Sequence, residues 1–287
     1  MGNEDEVKLL GFWASPYTLR VMIGLEEKGI KYEFIEEDLL SKKSPLLLEL
    51  NPVHKQVPVL IHNGRPVIDS SIILQYIDEV WSNGPTFVPS DSYDRVMARF
   101  WVDFIEKKIF NSGGRSIALK KGEEQEQGKR EFIEGLAILE ETLKGKDYFG
   151  GNNFGIVDIA LAPQICWLHA YEIIGNFKIM AKQKFPSIFA WMKRCMERES
   201  MKKALPQQEK VLAMDVANFG TSSTTPTTTL APISSSEVLT MDQLSQIHDA
   251  IVTPISFGLE SYTGMSHVAK ISTLQRSFLR MPNRKNQ

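Results

Sequence analysis

The sequence predicts an α/β domain followed by an all-helical domain, and three observations carry that prediction. Over residues 7 to 82, short apolar β-prone runs alternate with segments of helical period. From 91 to 212 the periodicity stays helical and no convincing strand interrupts it. Between the two, Gly84-Pro85 and Pro89-Ser90-Asp91 break both patterns and place a linker at 84–91.

The first domain, 1–83, reads strand by strand. Val7 to Phe12 is a strand, 16 to 29 a helix and Tyr32 to Glu36 a second strand, with a short helix around 44 to 51. Val57 to His62 and Pro66 to Ile68 form a hairpin, because Asn63-Gly64 between them suits a type I′ turn. A helix over 70 to 82 completes a βαβ unit followed by ββα. In the second domain, 92–212, amphipathic periodicity predicts helices at about 93–120, 123–144, 155–174 and 186–199. Gly155 with Asp158, and Phe185-Pro186-Ser187, mark two of the helix starts.

Residues 213–287 differ in texture. The Thr/Ser/Pro-rich run from Gly220 to Ser236 has too little apolar surface to fold alone, so the tail is expected to stay largely disordered. One amphipathic helix is expected within it at 237–253, with Leu239, Leu244, Ile247 and Ile251 roughly on one side.

Composition excludes several functions. With 33 basic and 35 acidic residues among 287, the net charge of −2 leaves no electrostatic footprint for nucleic acid. Cys166 and Cys195 are the only cysteines, without CxxC spacing, so neither a disulfide framework nor a zinc site follows. His54, His62 and His169 have no ligand spacing either. No apolar run reaches the roughly 20 residues that span a bilayer, and the acidic N-terminus lacks a signal-peptide core, so the cytosol is the expected location.

Three strand-to-helix junctions carry candidate chemistry. At Ser15-Pro16, serine is a favoured N-cap and proline a favoured first helical residue, so the Ser15 hydroxyl lies among free amides that favour an anion. At Val57-Pro58, the proline lacks an N–H and the preceding residue is held extended, so Val57 can pair with an added peptide backbone. At Asp69-Ser70, a carboxylate and a hydroxyl face one helix start and suit an α-amino acid head. Taken singly, each has a plainer reading: a helix cap, an edge strand and another cap.

Together the three describe one ligand with a thiol, a peptide backbone and an α-amino acid end. Glutathione has those parts. The segments FWASPY, EEDL, KSPLLLELNPVHKQVPVLIHNG and DSSIILQYIDEVW resemble the thioredoxin-like domain of plant tau-class glutathione transferases. The resemblance continues through RFWVDFIEKKIF, YFGGNNFGIVDIALAP and WMKRCMERES, covering about residues 7–212.

That resemblance implies that Ser15 is the catalytic hydroxyl and that Val57 pairs with the cysteinyl backbone before a cis Pro58. It implies that Asp69 and Ser70 hold the γ-glutamyl end, while Lys43 and Lys55 meet the glycine carboxylate. Phe12, Phe110, Ile117 and Trp167 would line the acceptor pocket; spacing alone would call each of them core. The family usually has Glu at Asp69 and often a second Lys at Gln56, so weaker glutathione binding is expected. After about Leu212, where the family's last helix covers the acceptor pocket, the resemblance fades.

The implied function is conjugation of reduced glutathione to small hydrophobic electrophiles in detoxification or stress response. The implied protein is a homodimer with glutathione as co-substrate, no cofactor and no membrane insertion. A thiol-exchange enzyme is disfavoured because no cysteine stands at Ser15. A non-catalytic carrier of apolar molecules would use the same pocket.

Overall fold

The computed structural model describes residues 6–39, 42–179 and 183–219, and the expected linker at 220–236 and helix at 237–253 lie outside them. The first domain is a four-stranded sheet in the order β2-β1-β3-β4. Its strands are β1 (Val7–Gly11), β2 (Glu33–Glu36), β3 (Val59–His62) and β4 (Arg65–Ile68). β1 runs parallel to β2 and antiparallel to β3, and β3 pairs antiparallel with β4. Asn63 and Gly64 both have positive φ, 50° and 75°, as a type I′ hairpin turn requires.

Helices α1 (Pro16–Lys28), α2 (Pro45–Leu50) and α3 (Ser70–Val80) complete this domain. Ser15 and Ser44 cap α1 and α2, each before a proline, and Asp69 caps α3. Gly29 ends α1 at φ 67°, a left-handed C-cap that glycine adopts without steric cost. Leu9, Leu10, Leu19, Ile23, Leu60 and Ile73 are buried in the core, so sheet and helices share one apolar interior.

The helical domain opens with α4 (Ser92–Phe104), which runs through a π-helical segment, Ile105–Arg115, into α5 (Ser116–Leu119). The predicted helix over 93–120 is present, but its middle is wound more widely than periodicity foretells. Gly113 and Gly114 lie in that segment, and a Cβ on either would come within 2.7 Å of Phe132 or 2.6 Å of Tyr171. Their bare backbone lets the neighbouring helices approach.

Next come α6 (Glu123–Leu143), α7 (Ile156–Leu161), α8 (Gln164–Gly175), α9 (Pro186–Glu197), α10 (Glu199–Ala204) and α11 (Gln208–Phe219). The single helix expected over 155–174 is two, because Pro163 lacks the N–H that would continue the ladder. The helix expected over 186–199 likewise ends at Glu197, with Arg198 extended before α10. The last described helix runs on to Phe219, past the expected domain end at 212. Val211 on α11 is fully buried and Gln208 donates to the Ile165 carbonyl on α8, so packing orders a helix whose end the composition had placed in the disordered tail.

The linker is stitched to both domains. Asp78 of α3 forms a buried ion pair with Lys28 of α1, Nζ to Oδ1 2.8 Å, and accepts the Phe87 and Val88 N–H groups at 3.0 and 2.9 Å. Across the boundary, the Phe87 carbonyl accepts the Ile156 N–H at 2.9 Å.

Candidate active site

Ser15 lies between β1 and α1. Its backbone is extended (φ −66°, ψ 120°) and its Oγ accepts the Thr18 N–H at 3.4 Å, the N-cap bond expected of serine before proline. The Ser15 hydroxyl proton donates to no group among the described residues. The α1 N-terminus thus presents an O–H together with a helix dipole, and both favour a negative charge. Ser15 is buried, where a charge-assisted hydrogen bond meets little competition from water.

Tyr17, the other hydroxyl of this turn, is committed elsewhere. It donates to Glu106 Oε1 at 2.7 Å, and burial, with Glu106 beside it, pushes its pKa well above the ordinary range. Burial also pushes the Cys166 thiol up to about 12 and the Cys195 thiol up as well, which leaves both cysteines inert.

Arg20, on the buried face of α1, ties the site to the helical domain. Its Nη1 donates to Ser70 Oγ at 3.3 Å and to Glu106 Oε2 at 2.9 Å, and its Nε donates to the Ala160 carbonyl at 3.0 Å. The second terminal nitrogen is buried with no acceptor among the described residues. Ser70 Oγ, having accepted from Arg20, keeps its own proton uncommitted among the described residues.

Asp69 sits at φ 72°, an unusual conformation for a non-glycine residue and one often found at ligand sites. Its Oδ1 accepts from the Ser71 N–H (2.9 Å), the Ser71 hydroxyl (2.6 Å) and the Ile72 N–H (3.2 Å). Oδ2 takes no hydrogen bond from the described residues and can meet an ammonium. The carboxylate both caps α3 and leaves one oxygen outward.

Asn51 organises the turn before β3. Its Oδ1 accepts the His54 N–H at 3.0 Å, its Nδ2 donates to the Gln56 carbonyl at 2.9 Å, and its backbone carbonyl accepts the Lys55 N–H at 2.8 Å. Lys55 is exposed with φ 56°, and the Val57–Pro58 peptide is cis. Among the described residues no hydrogen bond reaches the Val57 backbone N–H or carbonyl. Lys43 is half-buried beside Ser44, whose N–H and hydroxyl both donate to Glu37 at 2.7 Å.

Phe12, Phe110, Ile117 and Trp167 are all buried. Phe110 lies 5.5 Å from the Tyr17 ring and 4.4 Å beneath the Arg20 guanidinium, Phe12 is 5.8 Å from Trp13, and the Trp167 indole N–H donates to the Ala14 carbonyl at 3.2 Å. These three side chains therefore meet the Ser15 turn. Ile117 is fully buried in the same apolar core, near Gly175 on α8.

Two groups at the site were not singled out from sequence. Arg20 shows as a charge amid buried positions 19, 21 and 23, a signal of a partner somewhere, but Glu106 lies 86 residues away. Lys210 of α11 places its ammonium 4.1 Å over the Trp13 ring, while the Trp13 N–H donates to Glu36 at 3.2 Å.

Residues 5–79 match the N-terminal domain and residues 94–199 the C-terminal domain of glutathione S-transferase. Glutathione S-transferase U21 of Arabidopsis thaliana is 54% identical over 209 residues, spanning 72% of this chain and 93% of that protein. Glutathione S-transferase 3 of Glycine max is 50% identical over 212 residues, spanning 74% and 95%. The chain belongs to the tau-class glutathione S-transferases.

Solved structures agree. The tau-class glutathione S-transferase of mango, Mangifera indica, superposes with TM-score 0.69 at 42% identity, covering 73% of this chain and 96% of that one. Rice GST1, solved in complex with glutathione, gives TM-score 0.69 at 41% identity over 75% and 96%. In this glutathione S-transferase, as in its relatives, a thioredoxin-like domain precedes a helical one. No helix among the described residues is long and apolar enough to cross a membrane.

Proposed function

We propose that this glutathione transferase joins the sulfur of reduced glutathione to small hydrophobic electrophiles, with Ser15 stabilising the thiolate. The observation that carries this reading is the Ser15 hydroxyl at the α1 N-terminus, accepting the Thr18 N–H and keeping its own proton uncommitted among the described residues. An ordinary cysteine thiol has a pKa of about 8.5, so near neutrality most of it is protonated. A charge-assisted hydrogen bond worth about 1.5–3 kcal/mol lowers that by about one to two pH units.

The rest of the tripeptide fits the surrounding groups. The Val57 backbone pairs with the cysteinyl peptide, Asp69 Oδ2 takes the γ-glutamyl ammonium, and the Ser70 hydroxyl takes its carboxylate, with the Arg20 charge behind. Lys43 and Lys55 meet the glycine carboxylate. The thiolate then adds to an electrophilic carbon or displaces a leaving group, which departs with the electrons of the broken bond. Phe12, Phe110, Ile117 and Trp167 form the apolar side toward the acceptor. Such chemistry serves detoxification in the cytosol under stress.

Ser15→Ala tests this reading. The pH at which bound glutathione ionises should rise by about one to two units, and turnover on a generic aryl halide should fall about tenfold for each unit. Unchanged conjugation kinetics would remove Ser15 from the mechanism. A carrier without chemistry would bind both compounds and leave them unreacted.

The homodimer forms through α3 and α4. Ile72 and Val80 on α3, and Tyr93, Val96 and Phe100 on α4, are each at least 41% exposed, and Arg99 bridges the helices by donating to Gln75. An apolar face of this kind asks for a cover, and a second copy supplies the same face. Val96→Glu with Phe100→Glu should yield a monomer by sedimentation; an unchanged mass would place the interface elsewhere.

A further inference from the structure

We propose that Trp167, on the helical domain, is a positioning residue for the Ser15 hydroxyl. This rests on the thiolate reading and adds what holds the hydroxyl in place. The peptide unit between Ala14 and Ser15 is gripped at both polar ends. Its carbonyl accepts the Trp167 indole N–H at 3.2 Å, and its N–H donates to the Phe12 carbonyl at 3.0 Å. Because that unit is planar, two anchored ends fix the plane from which the Ser15 side chain departs.

The remaining bonds close a circuit. Ser15 Oγ accepts the Thr18 N–H at 3.4 Å, and Thr18 Oγ1 accepts the Phe12 N–H at 3.3 Å. Both are long, and both stay within residues 12–18. The indole bond alone in this circuit reaches outside the turn, from 153 residues along the chain.

Trp167 is itself held. Its ring stacks on Tyr171, centroids 5.9 Å apart at 28°, and Tyr171 meets Phe132 edge-on at 5.6 Å. Gly114 leaves the room that Tyr171 occupies. An aromatic column therefore runs from the helical core to the carbonyl just before Ser15. Ala14 is fully buried, so without the indole donor its carbonyl loses its partner and the turn must rotate to find another. The hydroxyl would rotate with it.

The test replaces the Trp167 indole by benzothiophene, which keeps the bicycle and loses the N–H, beside Trp167→Phe and Ser15→Ala in the full chain. The readouts are the pH dependence of the thiolate absorbance of bound glutathione, and kcat and KM for each substrate. With the benzothiophene side chain the ionisation should move up by about half to one pH unit, and kcat should fall below neutrality with KM for glutathione within about twofold. Trp167→Phe should do the same, with some loss of stability from the cavity it leaves.

A thiol ionisation unmoved by the benzothiophene side chain, when Ser15→Ala does move it, overturns the positioning role and leaves the thiolate reading standing. A rise in acceptor KM alone makes Trp167 a pocket wall and also overturns it. If Ser15→Ala leaves the ionisation unmoved, both readings fall.

Discussion

Arg20 Nη1 and Glu106 Oε2 lie 2.9 Å apart, an ion pair between the first helix of the sheet domain and the π-helical segment of the other. The Arg20 side chain is 2% exposed and also holds Ser70, so one cation serves both the domain contact and the expected glutathione site.

Glu106→Gln should therefore act twice. Leaving the buried guanidinium short of charge costs about 2–4 kcal/mol, toward the lower end because the Glu106 side chain is 25% exposed. With Arg20 free to shift, Ser70 loses a fixed partner and KM for glutathione should rise more than kcat falls. Denaturant unfolding and steady-state kinetics on one preparation check both; a stability loss with unchanged KM would show that Arg20 does not position Ser70.

Asp158 predicts a pH dependence. Burial pushes its carboxyl up to about 6, against the opposing pull of hydrogen bonds from the Gly155 and Phe149 amides and the Trp191 indole. Unfolded, the same group ionises near 4. Between those values the folded chain holds the extra proton, so this group's contribution to stability is present at low pH, declines as pH rises from about 4 to about 6 and is constant beyond. The stability of the wild type minus that of Asp158→Asn should trace this decline. At neutral pH the variant should still be about 2 kcal/mol less stable, because its amide N–H₂ faces a donor; a flat difference across the window would mean no displaced carboxyl.

Gly113→Ala should loosen the helical domain. The added Cβ would lie 2.7 Å from Phe132 Cδ2, 2.9 Å from its Cβ and 3.0 Å from the Lys108 carbonyl, and the last is backbone that cannot swing aside. Overpacking of this kind costs about 1–3 kcal/mol. Thermal unfolding should shift down by several degrees, and an unchanged midpoint would show that the segment yields.

Local chemistry made much of this legible in the sequence. Asn63-Gly64, Ser15-Pro16, Ser44-Pro45 and Phe185-Pro186 each set backbone geometry within a few residues, and each lies where its residue types require. The break at Pro163 was also visible as a residue, but the apolar run around it concealed two helices. The π-helical segment sets Gly113 and Gly114 close against Phe132 of α6 and Tyr171 of α8, neighbours that no window of residues 105–115 contains. Likewise α11 is ordered by docking on α8, and the Arg20 to Glu106 pair joins residues far apart in the chain. At the Ser15 turn, residue type named the helix cap, while the partners that hold that turn came only from the fold.

The stitching of the linker sets a limit on recombination. Because Asp78 grips the Phe87 and Val88 amides while the Phe87 carbonyl is bound by α7, a cut at residue 83 severs neither lobe cleanly. Hybrids built from two parents should inherit α3 and the strand of chain through residue 88 as one block, with the crossover placed beyond it. Shuffled at the apparent boundary instead, they would set Asp78 of one parent against the 87–88 amides of the other.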